Sequence, residues 1–202
     1  MKKLITVSSV ISVLAGSSAF AKTEGNYLGV ELLRTKAEHL YKTNGVVNNT
    51  LGKFDDSATG YGLNYKYAFN FGNNVFVAPG IFYDKIGTSA EDLDHDPINI
   101  QSRYGVKLDV GYDLTNQAAI YFTNGFAKTR YSVDWLTTNS GEIVSTTPFV
   151  YFYGIGATYQ ASKNITFNAE YNRQHISLMS PSAIVTARSK IEVMKVGIAY
   201  SF

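Results

Sequence analysis

The chain has no cysteine, so an exported fold built from it must hold together without disulfides, through a well-closed backbone. It also lacks, beyond its first residues, any apolar run near the ~20 residues a helix needs to cross a bilayer, which excludes a helical membrane protein. Charge of one sign is missing too. Two of the 18 basic residues, Lys2 and Lys3, lie in what reads as an export signal, and the remainder balances the 16 acidic residues. A neutral chain without a Lys/Arg run is a poor nucleic-acid ligand. His39 and His95 stand alone without metal-ligand spacing, so neither a metal nor a cofactor is expected.

The amino terminus supplies the compartment. Lys2 and Lys3 precede the short apolar stretch Leu4–Leu14, and Ala19-Phe20-Ala21 gives the small-x-small pattern of a cleavage site. This predicts a signal peptide over residues 1–21 and a single domain over 22–202, exported to the cell outer membrane.

What the remaining chain does contain is tyrosine (15) and phenylalanine (12) in alternation. Tyr61, Leu63, Tyr65, Tyr67 and Phe69 fall on one parity and Gly60, Gly62, Asn64, Lys66 and Ala68 on the other, the period-two pattern of a strand. Residues 100–113 repeat it, with Ile100, Tyr104, Val106, Leu108, Val110 and Tyr112 opposing Gln101, Arg103, Gly105, Lys107, Asp109 and Gly111. Six further segments bring the count to eight. The weakest, residues 119–131, has Asn124 on its apolar face. Short polar turns at 72–74, 115–117 and 162–164 alternate with long polar loops at 36–57, 87–99, 132–147 and 176–189. Transmembrane barrels show this asymmetry, tight on the periplasmic side and long outside. The expected fold is all-β: an eight-stranded antiparallel transmembrane β-barrel, an up-and-down meander.

The sign of the alternation decides what surrounds the barrel. One parity carries bulky aromatic and branched residues without a charge in its middle. The other holds ten of the 17 glycines, which build a packed core poorly but suit the narrow inside of a small barrel. The bulky face therefore looks at lipid. Tyr67, Tyr112, Tyr159 and Tyr200 near the turns, and Tyr61, Tyr83, Tyr104 and Tyr171 near the loops, predict two aromatic girdles.

The same parity sends Glu31, Lys66, Asp84, Arg103, Lys107, Asp109, Glu170 and Lys195 into the lumen. Each would be costly to bury alone, so pairing is expected. Closure makes the strands of Glu31, Glu170 and Lys195 neighbours, which predicts a Glu31/Glu170–Lys195 group faced across the lumen by Arg103 and Lys107. Such a network reads as a structural plug and not as a catalytic site, and no open pore is expected.

The last eight residues, Lys195-Val-Gly-Ile-Ala-Tyr-Ser-Phe202, match the carboxy-terminal insertion signal of outer-membrane proteins through Gly197, Tyr200 and Phe202. Together with the export signal and the eight segments, the chain resembles the small barrels of the outer-membrane protein A, outer-membrane protein X and opacity-type families. That resemblance implies a Gram-negative surface protein, antigenic, with a structural or adhesive role through four extracellular loops. The implied partners are outer-membrane lipid and lipopolysaccharide, the barrel-assembly machinery through the terminal signal, and a host or surface ligand at the loops. No peptidoglycan-binding domain is expected after Phe202.

Two other chemistries merit weighing. His175-Ile-Ser177 with Glu192 looks like the His-x-Ser and downstream Glu of outer-membrane lipid A deacylases, and parity would place all three outward at the outer-leaflet boundary. Leu178-Met179 stand where those enzymes carry an Asn that donates to the oxyanion, so the esterase is the alternative and not the first reading. Asp92-Leu-Asp94-His-Asp96 resembles the start of a calcium loop, but Pro97 replaces the turn glycine and Arg103 the bidentate glutamate, which rules out an EF-hand. Trp135, in the third long loop, suits either anchoring a partner or touching outer-leaflet lipid.

Overall fold

The computed structural model describes residues 23–43, 46–47, 53–86, 98–134, 143–179 and 185–202. The proposed signal peptide, the acidic loop at Asp92–Asp96 with His95, and Trp135 lie outside them, and the side chain of His39 is likewise not described. Eight long strands carry the fold: β1 (Gly25–Thr43), β2 (Lys53–Asn70), β3 (Val75–Ile86), β4 (Ile98–Asp113), β5 (Ala118–Asp134), β6 (Phe149–Gln160), β7 (Ile165–Met179) and β8 (Val185–Ser201). Each pairs antiparallel with the next, and β8 returns to pair with β1 from Ser201↔Tyr27 to Val185↔Thr43. The sheet is thus closed and every long strand has two neighbours, which is how a barrel satisfies its backbone polar groups without a lipid-exposed edge. Two short pieces, Val46–Val47 and Ile143–Thr146, add to the upper ends of β1 and β5.

The period-two pattern is realised as inside and outside. On β1, Leu32 is 68% exposed and its neighbour Leu33 only 3%. Val30, Leu63, Ile81, Val106, Phe122, Phe167 and Val196 likewise lie exposed on the outer surface, a ring of apolar side chains that only acyl chains can cover.

At the first turn, the sequence Gly72-Asn73-Asn74 places Asn73 and Asn74 at φ of 51° and 65°. Asparagine tolerates that left-handed region better than most residues, and the resulting turn matches the strands' twist. Pro79 sits on β3 where the ladder to β2 skips two pairs, between Lys66↔Gly80 and Phe69↔Val77. A residue without an N–H cannot complete that rung.

The structure changes the sequence reading in three places. First, much of what reads as loop is strand. β1 continues to Thr43 and β2 begins at Lys53, and similar extensions lengthen β5, β7 and β8. Above the bilayer a strand's outer face meets water, so polar residues there end the apolar pattern without ending the ladder. Second, Ile100 points inward and is 1% exposed. A register irregularity between Ile100 and Ser102 inserts one residue into β4, and one residue reverses every side chain before it. Third, the lumen is not only small and polar. Its loop-side end is filled by Leu33, Ala37, Ile86, Ile100, Val150, Ile176, Ile191 and Val193, and Phe82 and Phe152 pack edge to face below them.

Candidate functional site

The eight lumen charges form two chains of ion pairs. Lys195 Nζ donates to Glu31 Oε2 at 3.1 Å and to Asp84 Oδ1 at 2.9 Å, and Arg103 Nε donates to Asp84 Oδ2 at 2.6 Å. Lys107 Nζ donates to Glu170 Oε2 at 2.7 Å and lies 3.5 Å from Asp109, to which Lys66 donates at 3.1 Å. Four carboxylates thus meet four cations. Glu170 differs from the expectation: its side chain is taken by Lys107 from across the lumen, although Lys195 is its ladder partner. Arg103 reaches further, with Nη1 donating to Asn172 at 3.0 Å and its guanidinium 5.3 Å from the Phe82 ring.

Glycines make room for these side chains. In the ladders Glu31 lies between Gly62 and Gly197, Lys107 between Gly80 and Gly125, and Glu170 beside Gly156. A Cβ added at Gly62 would stand 2.6 Å from an Asp84 oxygen, so the inner glycines and inner charges are one packing solution. Towards the turns the filling is looser. A pocket of about 600 Å³, counting its open mouth, is lined by Tyr27, Lys66, Lys107, Tyr121 and the turn residues Thr115 to Gln117.

The outer rim on β7, β8 and β1 holds the second set. Lys36, Glu192 and Arg173 are successive ladder partners in one row, and Glu38, Lys190 and His175 form the row beyond it. These rows lie outside Tyr171, above the apolar band. Glu192 Oε1 accepts from Arg173 at 2.7 Å and lies 2.8 Å from Lys190 Nζ. The hydrogen bond with Lys190, foremost, and that with Arg173 hold the Glu192 carboxyl down at about 2.

His175 and Ser177 both face outward and are exposed, so the three residues of the deacylase-like set share one strip. Their geometry does not assemble them. Ser177 pairs with Arg188, four residues along β8 from Glu192, a rise of roughly 13 Å. Among the described residues no hydrogen bond joins His175 to Glu192, whose carboxylate is already held by two cations. The insertion-signal residues sit at the opposite end, with Tyr200 and Phe202 exposed and their rings 6.3 Å apart. Gly197 lies against the backbone of Val30, where a side chain would collide.

Sequence reasoning missed the rim cations Arg34, Lys36, Lys85, Lys128, Arg130, Arg173 and Arg188. The signal was available: each keeps the outward parity of its strand beyond the apolar stretch, although Lys36 and Arg188 fall in segments that read as loops.

Residues 6–202 match the family described as outer membrane protein beta-barrel domain. Among solved structures, the outer membrane protein OprG from Pseudomonas aeruginosa superposes with a TM-score of 0.50 at 16% identity, over 90% of this chain and 98% of that one. Ail, the attachment invasion locus protein of Yersinia pestis, gives 0.49 at 18% identity over 89% and 99%, and Neisserial surface protein A gives 0.47 at 15% over 86% and 97%. No curated protein matches the sequence. With a closed eight-stranded barrel, an apolar outer belt and a family match over nearly its whole length, this chain belongs to the outer membrane protein β-barrel domain family.

Proposed function

We propose that this protein is a non-enzymatic surface barrel whose extracellular end does its work, by contacting a host or surface ligand or by reinforcing the membrane, and that its lumen does not conduct. The observation that carries this reading is where the chain spends its structure. The lumen holds paired charges and, on its loop side, an apolar cluster, which supports a barrel that does not conduct. By contrast β1, β2, β5, β7 and β8 extend past the upper tyrosines, holding outward polar side chains clear of the bilayer. Rigid elements that lift loops from a scaffold are a common way to place binding residues.

Planar-bilayer recording and cell adhesion test the two halves. The protein should give no stable conductance, and bacteria displaying it should lose adhesion when residues 87–97 and 135–142 are replaced by short glycine-serine linkers. Stable single channels, or adhesion indifferent to all four loops, would count against the reading. Mass spectrometry of lipid A addresses the esterase alternative. A product short of one acyl chain that disappears with Ser177→Ala would displace this proposal.

A further inference from the structure

On the outer face, cations lie level with the upper tyrosines and above them, and two opposite walls use them differently. On β7, β8 and β1 the carboxylates Glu38 and Glu192 sit among the cations and pair with Lys36, Lys190 and Arg173. On β3, β4 and β5 no carboxylate with a described side chain shares the outer face. There Lys85 pairs with Ser102 and Ser102 with Arg130, so Lys85 and Arg130 occupy one row two strand spacings, or roughly 10 Å, apart. Lys128 lies two residues nearer the membrane on the same face, opposite Tyr104. All three are exposed. Their outward direction is fixed by their neighbours, since Asp84, Ile86, Ala127 and Thr129 are buried in the lumen.

We infer that Lys85, Lys128 and Arg130 form a binding site for the phosphate groups of an outer-leaflet glycolipid of the lipid A type. This rests on the surface-barrel reading above and names one of its ligands. Three cations on flexible stems, roughly 7 to 12 Å apart at the backbone, can converge on one phosphomonoester. The floor beneath them is aromatic, since Tyr83, Tyr104 and Phe126 lie two residues nearer the membrane than Lys85, Ser102 and Lys128 and are exposed; the exposed rings of Tyr61 and Phe149 stand beside Lys85 and Lys128 as their ladder partners. A ligand seated here touches charge above and hydrocarbon below at once. A phosphorylated lipid offers both contacts, whereas a soluble anion offers only the first. The stems can lie along the rings while the charged heads rise to headgroup level.

The full chain inserted into nanodiscs of zwitterionic phospholipid tests the assignment, with native mass spectrometry reading retained bis-phosphorylated or dephosphorylated lipid A. Wild type should retain the phosphorylated form at least tenfold better, and less so as salt rises. Each of Lys85→Gln, Lys128→Gln and Arg130→Gln should weaken retention about fivefold, and the triple variant on the order of a hundredfold. Arg34→Gln/Lys36→Gln on the opposite wall should change little. Equal retention of the two lipids by wild type, or an undiminished triple variant, would overturn the site. Displacement by inorganic phosphate at equal concentration would overturn the lipid as its source. Heat-dependent gel mobility reports insertion separately: an inserted barrel indifferent to phosphorylation refutes the site alone, whereas a chain that does not insert refutes the surface-barrel reading as well.

Discussion

Lys195 stands directly opposite Glu170 in the β7–β8 ladder, yet its ammonium turns to Glu31 and Asp84 and leaves Glu170 to Lys107 on the far wall. Backbone adjacency and ionic partnership are therefore different relationships in this lumen. Two carboxylates on one cation, and one cation shared between strands that do not pair, tie the barrel across its width as well as around its wall.

Removing that cation should be expensive. Lys195→Met leaves Glu31 without its ion partner and Asp84 with Arg103 alone, and breaking a buried pair costs about 3–5 kcal/mol. The thermal midpoint, followed by the heat-dependent gel shift, should fall clearly, and Glu31→Met added to Lys195→Met should recover part of the loss. An unchanged midpoint for Lys195→Met would mean the group contributes nothing.

The packing of glycine against large inner rings makes a separate prediction. A Cβ at Gly156 would collide with Tyr121 Cζ, so Gly156→Leu should destabilise by about 1–3 kcal/mol through overpacking. Tyr121→Ala in the same background should restore much of that stability in urea unfolding. Additive losses in the double variant would refute the steric account.

Orientation relative to lipid can be read at adjacent residues. Val106 is exposed on the apolar belt and Lys107 is buried inside. Val106→Arg should cost about 2–4 kcal/mol in bilayer refolding, the figure for an arginine at the midplane of a barrel's lipid face. Spin labels at Val106 should report hydrocarbon and labels at Lys107 should not. A water-exposed label at Val106 is incompatible with the assigned orientation.

Acid should weaken the rim on β7 and β8. The Glu192 carboxyl is held at about 2, below its ordinary 4.5, first by the hydrogen bond with Lys190. A depressed carboxyl contributes stability that is fully present above its unfolded value, and loses it as pH falls from about 4.5 towards 2. Wild type should therefore exceed Glu192→Gln in stability by a constant margin at neutral pH, and the margin should close across that interval. A margin independent of pH between 6 and 2 would show that Glu192 is not held this way.

How much of this was legible in the sequence follows from what each pattern encodes. Alternation fixes parity, and parity alone sent Glu31, Lys66, Asp84, Arg103, Lys107, Asp109, Glu170 and Lys195 inward and Leu63 and Val106 outward, because side chains of a strand must point to opposite faces. Parity carries no information about strand ends once the outer face meets water, which is why β1 running to Thr43 read as loop. Nor does it survive an inserted residue, and Ile100 was misplaced on that account.

Local pattern along the chain set the kind of object, eight strands with one apolar and one charged face, because these depend on periodicity within each strand and on the short turns. Tertiary structure decided who meets whom. The pairing of Glu170 with Lys107, the meeting of Glu192 with Arg173, and the alignment of Lys85 with Arg130 all depend on how strands are set against one another. Register sets which side chains share a height, and side-chain reach across the lumen then selects the partner. Neither quantity is written in the spacing of residues along one strand.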